Sequence, residues 1–182
     1  MTLRNTQERY GSLSIGLHWL MLILMAAVYA CIELREFLPK GSDARSLLKT
    51  WHFMLGTLIF GLAALRLFWS LINVTPRTEP APPHLQEIAA KLMHVALYAL
   101  MLGLPIAGWL ILSGQGKPIP FFGFELPPLI GPDRALAKSI KEIHETVGNI
   151  GLALIGVHAA AALFHHHVMR DNTLTRMLPQ RT

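Results

Sequence analysis

Four long apolar segments constrain the fold of this chain more than any other feature of its sequence. They cover approximately residues 14–34, 48–72, 85–112 and 138–168. A helix needs about 20 apolar residues to cross the hydrocarbon core of a bilayer, and each segment reaches that length. We therefore predict an all-α membrane protein, in which a single domain over residues 1–182 forms a bundle of four transmembrane helices.

The composition agrees with a membrane protein and excludes several other classes. Hydrophobic residues make up 52% of the chain and charged residues only 15%, which departs from soluble proteins. The net charge of +5 is expected of the loops that flank membrane spans, so we predict no nucleic-acid binding. The single cysteine, Cys31, excludes a disulfide framework and a covalent Cys-x-x-Cys-His haem attachment. Any haem must therefore be bound non-covalently.

Histidines recur at matching depths in the apolar segments. His144 and His158 are fourteen residues apart in the last segment, so they lie on nearly the same helix face about 21 Å apart along the axis. His52 lies early in the second segment, while His18 and His94 lie early in the first and third. Because successive helices alternate in direction, one level holds His52 and His144. The other level holds His18, His94 and His158. Ionisable groups inside a membrane indicate function.

This arrangement predicts two haem b groups, each bound by two histidines. Paired neutral imidazoles give a six-coordinate iron suited to electron transfer. His52 and His144 form one pair, and His158 forms the other with either His18 or His94. A zinc or copper site would need its ligands clustered at one depth, whereas these are divided between two.

Three further residues are candidates for binding the haem at the second level or a quinone beside it. Arg66 follows His52 by fourteen residues on the same face, where it either pairs with a haem propionate or extends to the membrane surface. His165 follows His158 by seven residues, within about 20° of the same face. If His94 is not a ligand, it hydrogen-bonds a propionate, a quinone oxygen or polar groups of the helices.

Sequence motifs along nearly the whole chain resemble those of the prokaryotic cytochrome b561 family, four-helix di-haem proteins of the bacterial inner membrane. The matching motifs include Arg9-Tyr10, His18-Trp19, Trp51-His52 with Gly56, Arg66-Leu67, His94 with Tyr98, Leu104-Pro105-Ile106-Ala107-Gly108, His144-Glu145-Thr146, Gly156-Val157-His158-Ala159 and Asp171-Asn172-Thr173-Leu174.

The resemblance implies specific ligands and a topology. It assigns His52 and His144 to a haem on the periplasmic side, and His18 and His158 to a haem on the cytoplasmic side. It also places both termini in the cytoplasm. The sixteen Lys and Arg residues are divided equally between the two sides, so charge alone favours this orientation only slightly.

Within the family, the layout of residues 164–174 is most similar to a member that oxidises superoxide to O₂ and reduces ubiquinone. Lys117, Lys138 and Lys141 are then candidates for attracting the superoxide anion, although scattered loop lysines also serve solubility. A second hypothesis is an electron-relay subunit that docks to a protein redox partner. A third is a small transporter or structural protein with incidental histidines. In each case membrane lipid surrounds the bundle.

Overall fold

The computed structural model describes residues 2–179 and consists mainly of four long helices. They are α1 Ser12–Leu34, α2 Asp43–Leu71, α3 His84–Gly114 and α4 Arg134–Phe164. Together with the short helical turns that extend α1 and α4, all four are long and apolar enough to cross a membrane. The predicted all-α, four-helix membrane fold is therefore confirmed.

Two helices begin four or five residues before the predicted spans, which start at about residues 48 and 138. Helix α2 begins at Asp43, because the Ser42 side chain accepts a hydrogen bond from the backbone N–H of Arg45. Helix α4 begins at Arg134, where Asp133 provides the equivalent cap. Each of these helices starts with a charged residue after a polar cap, so hydropathy detects the apolar part of each helix but not its first residue. The other two helices begin within two residues of the predicted positions.

Consecutive helices pack against one another, α1 with α2, α2 with α3 and α3 with α4. The main buried cluster lies between α1 and α2 and consists of Met21, Val28, Ile59 and Ala63. Tyr29 joins the first and last helices, because its hydroxyl donates a hydrogen bond of 2.7 Å to the Gly148 carbonyl. Two cavities, one toward each end, also lie within the bundle.

A β-hairpin covers one end of the bundle. Strands β1 Ile119–Phe121 and β2 Phe124–Leu126 pair antiparallel within the long α3–α4 connection. Phe122 and Gly123 form the turn with positive φ angles of 45° and 93°. The backbone N–H of Phe122 also contacts the Met54 sulfur at 3.3 Å. We call this the hairpin end.

Residues 2–11 and 170–179 lie at the opposite end, which we call the terminal end. Helix α4 continues there as a π-helix, His165–Met169, followed by a C-terminal tail, residues 170–179. The Trp19 indole N–H donates to the Met177 carbonyl at 2.8 Å, and Arg9 donates to the Leu178 carbonyl at 2.9 Å. The tail is thus fastened to the start of the chain.

Candidate functional site

The larger cavity lies at the hairpin end, has a volume of about 530 Å³ and contains two facing histidines. The ring centroids of His52 and His144 are 6.3 Å apart. His52 Nδ1 lies 3.0 Å from the Val28 carbonyl oxygen. Because a carbonyl only accepts, Nδ1 carries the proton and Nε2 keeps its lone pair. This tautomer is the one that suits metal ligation through Nε2.

Small residues leave space around this pair. His144 Nδ1 is buried and faces the Leu104 carbonyl without forming a hydrogen bond of good geometry. A Cβ added at Gly108 would lie 3.6 Å from His144 Cε1. Gly56 and Gly148 also line the cavity, and a Cβ at either would meet nothing within 4 Å. The cavity therefore has open space at two glycines, Gly56 and Gly148, as a flat cofactor requires.

The smaller cavity lies at the terminal end, has a volume of about 180 Å³ and contains three histidines. The ring centroids of His18 and His158 are 6.4 Å apart, and those of His94 and His158 are 5.5 Å apart. Arg66 Nη2 donates to His18 Nδ1 at 3.0 Å, and its guanidinium lies 5.8 Å from the centroid of the Tyr98 ring.

The two predicted pairs have the spacing that one metal ion between two imidazoles requires. Metal–imidazole bonds are about 2 Å long, which puts the ring centroids about 6 Å apart across the ion. His52–His144 and His18–His158 meet this spacing, whereas His94 lies closer to His158. His94 is also exposed, while the other four are half-buried. The residues present thus fit two bis-histidine haems, and the ligand assignment stays a prediction.

The charged side chains differ between the two cavities. At the hairpin end, four cations and three carboxylates line the cavity: Arg35, Lys49, Lys117 and Lys141, with Glu33, Glu36 and Glu145. At the terminal end, two guanidiniums, Arg66 and Arg176, line the cavity, and none of its lining residues within 2–179 is a carboxylate. The hairpin-end cavity is nearly neutral, and the terminal-end cavity is positive.

The structure separates the three candidate lysines. Lys117 and Lys141 line the hairpin-end cavity, whereas Lys138 does not. Helical geometry explains this, since Lys141 is about 60° from the His144 face and Lys138 is about 120° away. Lys141 is paired with Glu145 at 2.8 Å, while Lys117 has no carboxylate partner within residues 2–179. Sequence reasoning missed Lys49, although it lies one turn before His52.

His165 does not line the terminal-end cavity, although the sequence placed it near the His158 face. It begins the π-helix, and its Nδ1 bonds the Asp171 carboxylate at 2.5 Å. Asp171 is only 7% exposed and also accepts from the Thr173 backbone N–H. Burial raises the pKa of Asp171, but the hydrogen bonds from His165 and Thr173 outweigh it and hold this pKa below its ordinary value. The pair fixes the tail to α4.

The two cavities share a wall at the middle of the bundle. Four residues line both of them: Met25, Tyr29, Leu100 and Met101. Gly151 lies at the same level, where an added Cβ would be 2.9 Å from the Tyr29 hydroxyl. A partition one side chain thick therefore separates the two sites.

Comparisons with known proteins agree with this arrangement. The sequence profile of prokaryotic cytochrome b561 matches residues 9–180. Cytochrome b561 homolog 1 of Escherichia coli is 42% identical over 96% of this chain and 99% of its own length. Probable superoxide oxidase CybB of Yersinia pestis is 36% identical over 96% and 98%, and cytochrome b561 homolog 2 of Escherichia coli is 31% identical over 98% and 95%. The chain therefore belongs to the prokaryotic cytochrome b561 family, as the sequence motifs predicted, and is a multi-pass membrane protein that binds haem b and transfers electrons.

Proposed function

We propose that this protein is a superoxide:ubiquinone oxidoreductase with two haem b groups. The observation that carries the proposal is the pair of cavities, each with two facing imidazoles at a spacing of 6.3–6.4 Å, separated by one shared wall. Two superoxide anions would give two electrons and leave as two O₂, and one quinone would take the two electrons and two protons to become quinol. The relative from Yersinia pestis, named as a probable superoxide oxidase, supports this reaction.

His52 and His144 would hold the haem at the hairpin end, and His18 and His158 the haem at the terminal end. The haems supply one-electron transfer across the membrane, and the protein controls ligation, burial and access. At the terminal end, Arg66 must leave His18 Nδ1, because a neutral ring that accepts at Nδ1 carries its proton on Nε2. A haem propionate is the natural new partner for this guanidinium.

Superoxide would enter at the hairpin end. Lys117 and Lys49 are the cavity cations without a carboxylate partner within residues 2–179, so they provide the local positive potential. The three carboxylates nearby limit this field, and the attraction is short-range rather than a broad basic surface. Lys138, outside the cavity lining, is expected to contribute little.

Ubiquinone would bind at the terminal end, beside the second haem. His94 is exposed next to His158 and can hydrogen-bond a quinone oxygen. His165 stays a candidate contact from outside the cavity, with its Nδ1 hydrogen-bonded to Asp171. In this proposal the hairpin end faces the periplasm of a bacterial inner membrane, and both termini are cytoplasmic.

Stopped-flow mixing of the purified protein with superoxide tests the proposal. We expect rapid haem reduction that superoxide dismutase abolishes, followed by quinol formation when ubiquinone is present. His52→Ala should abolish the reduction of both haems by superoxide. His158→Ala should leave the hairpin-end haem reducible but stop quinol formation.

An electron-relay subunit is the second candidate function, because two of the relatives carry names that give no substrate. If superoxide reduces neither haem of the wild-type protein, the superoxide proposal is wrong. Co-purification of a second polypeptide whose electrons reduce both haems would then establish the relay.

A further inference from the structure

The C-terminal tail places a guanidinium inside the wall of the terminal-end cavity. Arg176 Nη1 donates to the Pro76 carbonyl at 2.6 Å, and the guanidinium lies 5.6 Å from the centroid of the Tyr10 ring. Its Nε is buried and has no hydrogen-bond partner within residues 2–179. A buried N–H of a charged group without an acceptor is unfavourable, which points to a missing partner.

The charge of this cavity also points to a missing anion. Arg66 and Arg176 both line it. None of the cavity-lining residues within 2–179 is acidic. Two guanidiniums in an apolar setting without a counter-ion are costly, and a bound carboxylate compensates them through bidentate hydrogen bonds.

The wall that carries Arg176 is separate from the four membrane helices. Thr173, Leu174, Arg176 and Met177 complete the terminal-end cavity from the tail, and no tail residue lines the hairpin-end cavity within the described range. The terminal-end cavity is also the smaller, at about 180 Å³ against about 530 Å³. An occupant as large as the one proposed for the hairpin end requires this wall to adjust.

We propose that Arg176 is a carboxylate-binding residue of the terminal-end haem, acting together with Arg66 on the two propionates. This inference rests on the proposed second haem. The tail is then part of the cofactor site, and bound haem holds the tail against the bundle through Arg176.

A cycle of protein and cofactor variants tests this role. Wild type and Arg176→Gln are reconstituted with haem b or with its dimethyl ester, which lacks the carboxylates, and haem transfer to excess apoglobin is timed. The cycle is repeated in a His52→Ala background, where only the terminal-end haem remains. With haem b, Arg176→Gln should speed loss of this haem roughly tenfold or more, as expected of a charge-assisted hydrogen bond. With the dimethyl ester, the two proteins should lose haem at the same rate.

Two matched arginines separate the alternatives. Arg9→Gln removes two other hydrogen bonds to the tail without changing the cavity lining, so its effect should be equal for haem and ester. Arg170→Gln removes an exposed charge at the same end and should change neither rate. Arg176→Lys keeps the charge and should lie between wild type and Arg176→Gln, which also covers the case where the glutamine variant does not fold.

The outcomes distinguish this inference from the proposed function. If the wild-type protein binds a single haem, the proposal of a second haem is wrong, and so is this inference. If wild type binds two haems but Arg176→Gln speeds loss of haem and ester equally, Arg176 acts through tail packing or a lipid phosphate. The inference is then wrong, while the proposed function stands.

Discussion

The two ends of the bundle contain the same pair of facing imidazoles but differ in how ready these are to bind a metal. At the hairpin end, His52 Nδ1 donates to a backbone carbonyl, so its Nε2 is available, and the cavity is open. At the terminal end, Arg66 occupies His18 Nδ1, and a third histidine lies 5.5 Å from His158. The hairpin-end pair is thus preorganised, whereas Arg66 would have to leave His18 before the terminal-end pair could bind iron.

The two cavities also differ in the charged residues that line them. The hairpin-end cavity is lined by both cations and carboxylates, whereas Arg66 and Arg176 line the terminal-end cavity without a carboxylate among residues 2–179. A site whose charges are balanced does not need a charged ligand for its stability, whereas a bound anion stabilises a site that is lined by cations without carboxylates. Charge therefore favours an anionic cofactor at the terminal end. We nevertheless expect the hairpin end to fill with haem first during reconstitution, because His52 Nε2 is already free to bind iron.

The largest expected effect is the loss of one haem without the other. His144→Ala should remove the hairpin-end haem and His158→Ala the terminal-end haem, because each substitution deletes one axial ligand. Haem content per polypeptide should fall from two to one in each variant. His94→Ala is the control and should keep both; if it also loses a haem, the choice of His18 over His94 is wrong.

The shared wall should couple the two ends. In Gly151→Ala, the new Cβ would lie 2.9 Å from the Tyr29 hydroxyl and would displace its hydrogen bond to Gly148. We expect a loss of about 1–3 kcal/mol in stability and altered absorbance of both haems. Gly156→Ala is the matched control, since its Cβ meets nothing within 4 Å. Equal thermal unfolding of the two variants would contradict this role for Tyr29.

Acid should loosen the C-terminal tail. The pKa of Asp171 is depressed in the folded protein, so its contribution is present above its unfolded pKa and is lost as the pH falls through the folded pKa. Hydrogen exchange in residues 172–178 should rise over that acidic range, by about 1 kcal/mol of opening free energy. Asp171→Asn should show the faster exchange at neutral pH and little further change in acid. Exchange in the hairpin should not respond.

The smallest expected effect concerns the approach of superoxide to the hairpin end. Lys117→Gln should slow haem reduction by superoxide about twofold to threefold, because a single exposed charge contributes little. Added salt should shrink the difference, since it screens the attraction. Lys138→Gln should match wild type, and an equal effect of the two lysines would mean that net surface charge matters rather than the cavity.

The sequence predicted the fold and the levels of the histidines because both follow from simple periodicities. Apolar length predicted four spans, and the alternation of helix direction placed His52 with His144, and His18 and His94 with His158. Hydropathy did not predict the helix starts at Asp43 and Arg134, because polar capping residues determine where these helices begin. The hairpin over residues 119–126 was not predicted either, because it depends on a turn in which Phe122 and Gly123 adopt positive φ angles.

Only the tertiary structure shows which charged side chains line each cavity. Arg176 is eighteen residues beyond His158 in the sequence, and only the fold of the tail brings it to the cavity wall. Likewise, nothing local distinguishes Lys117 from Lys138, or pairs His165 with Asp171 across a π-helix. Spacing along one helix fixes depth and face, so the sequence determined where imidazoles lie. Contacts between distant segments depend on packing, so the structure determined what surrounds them.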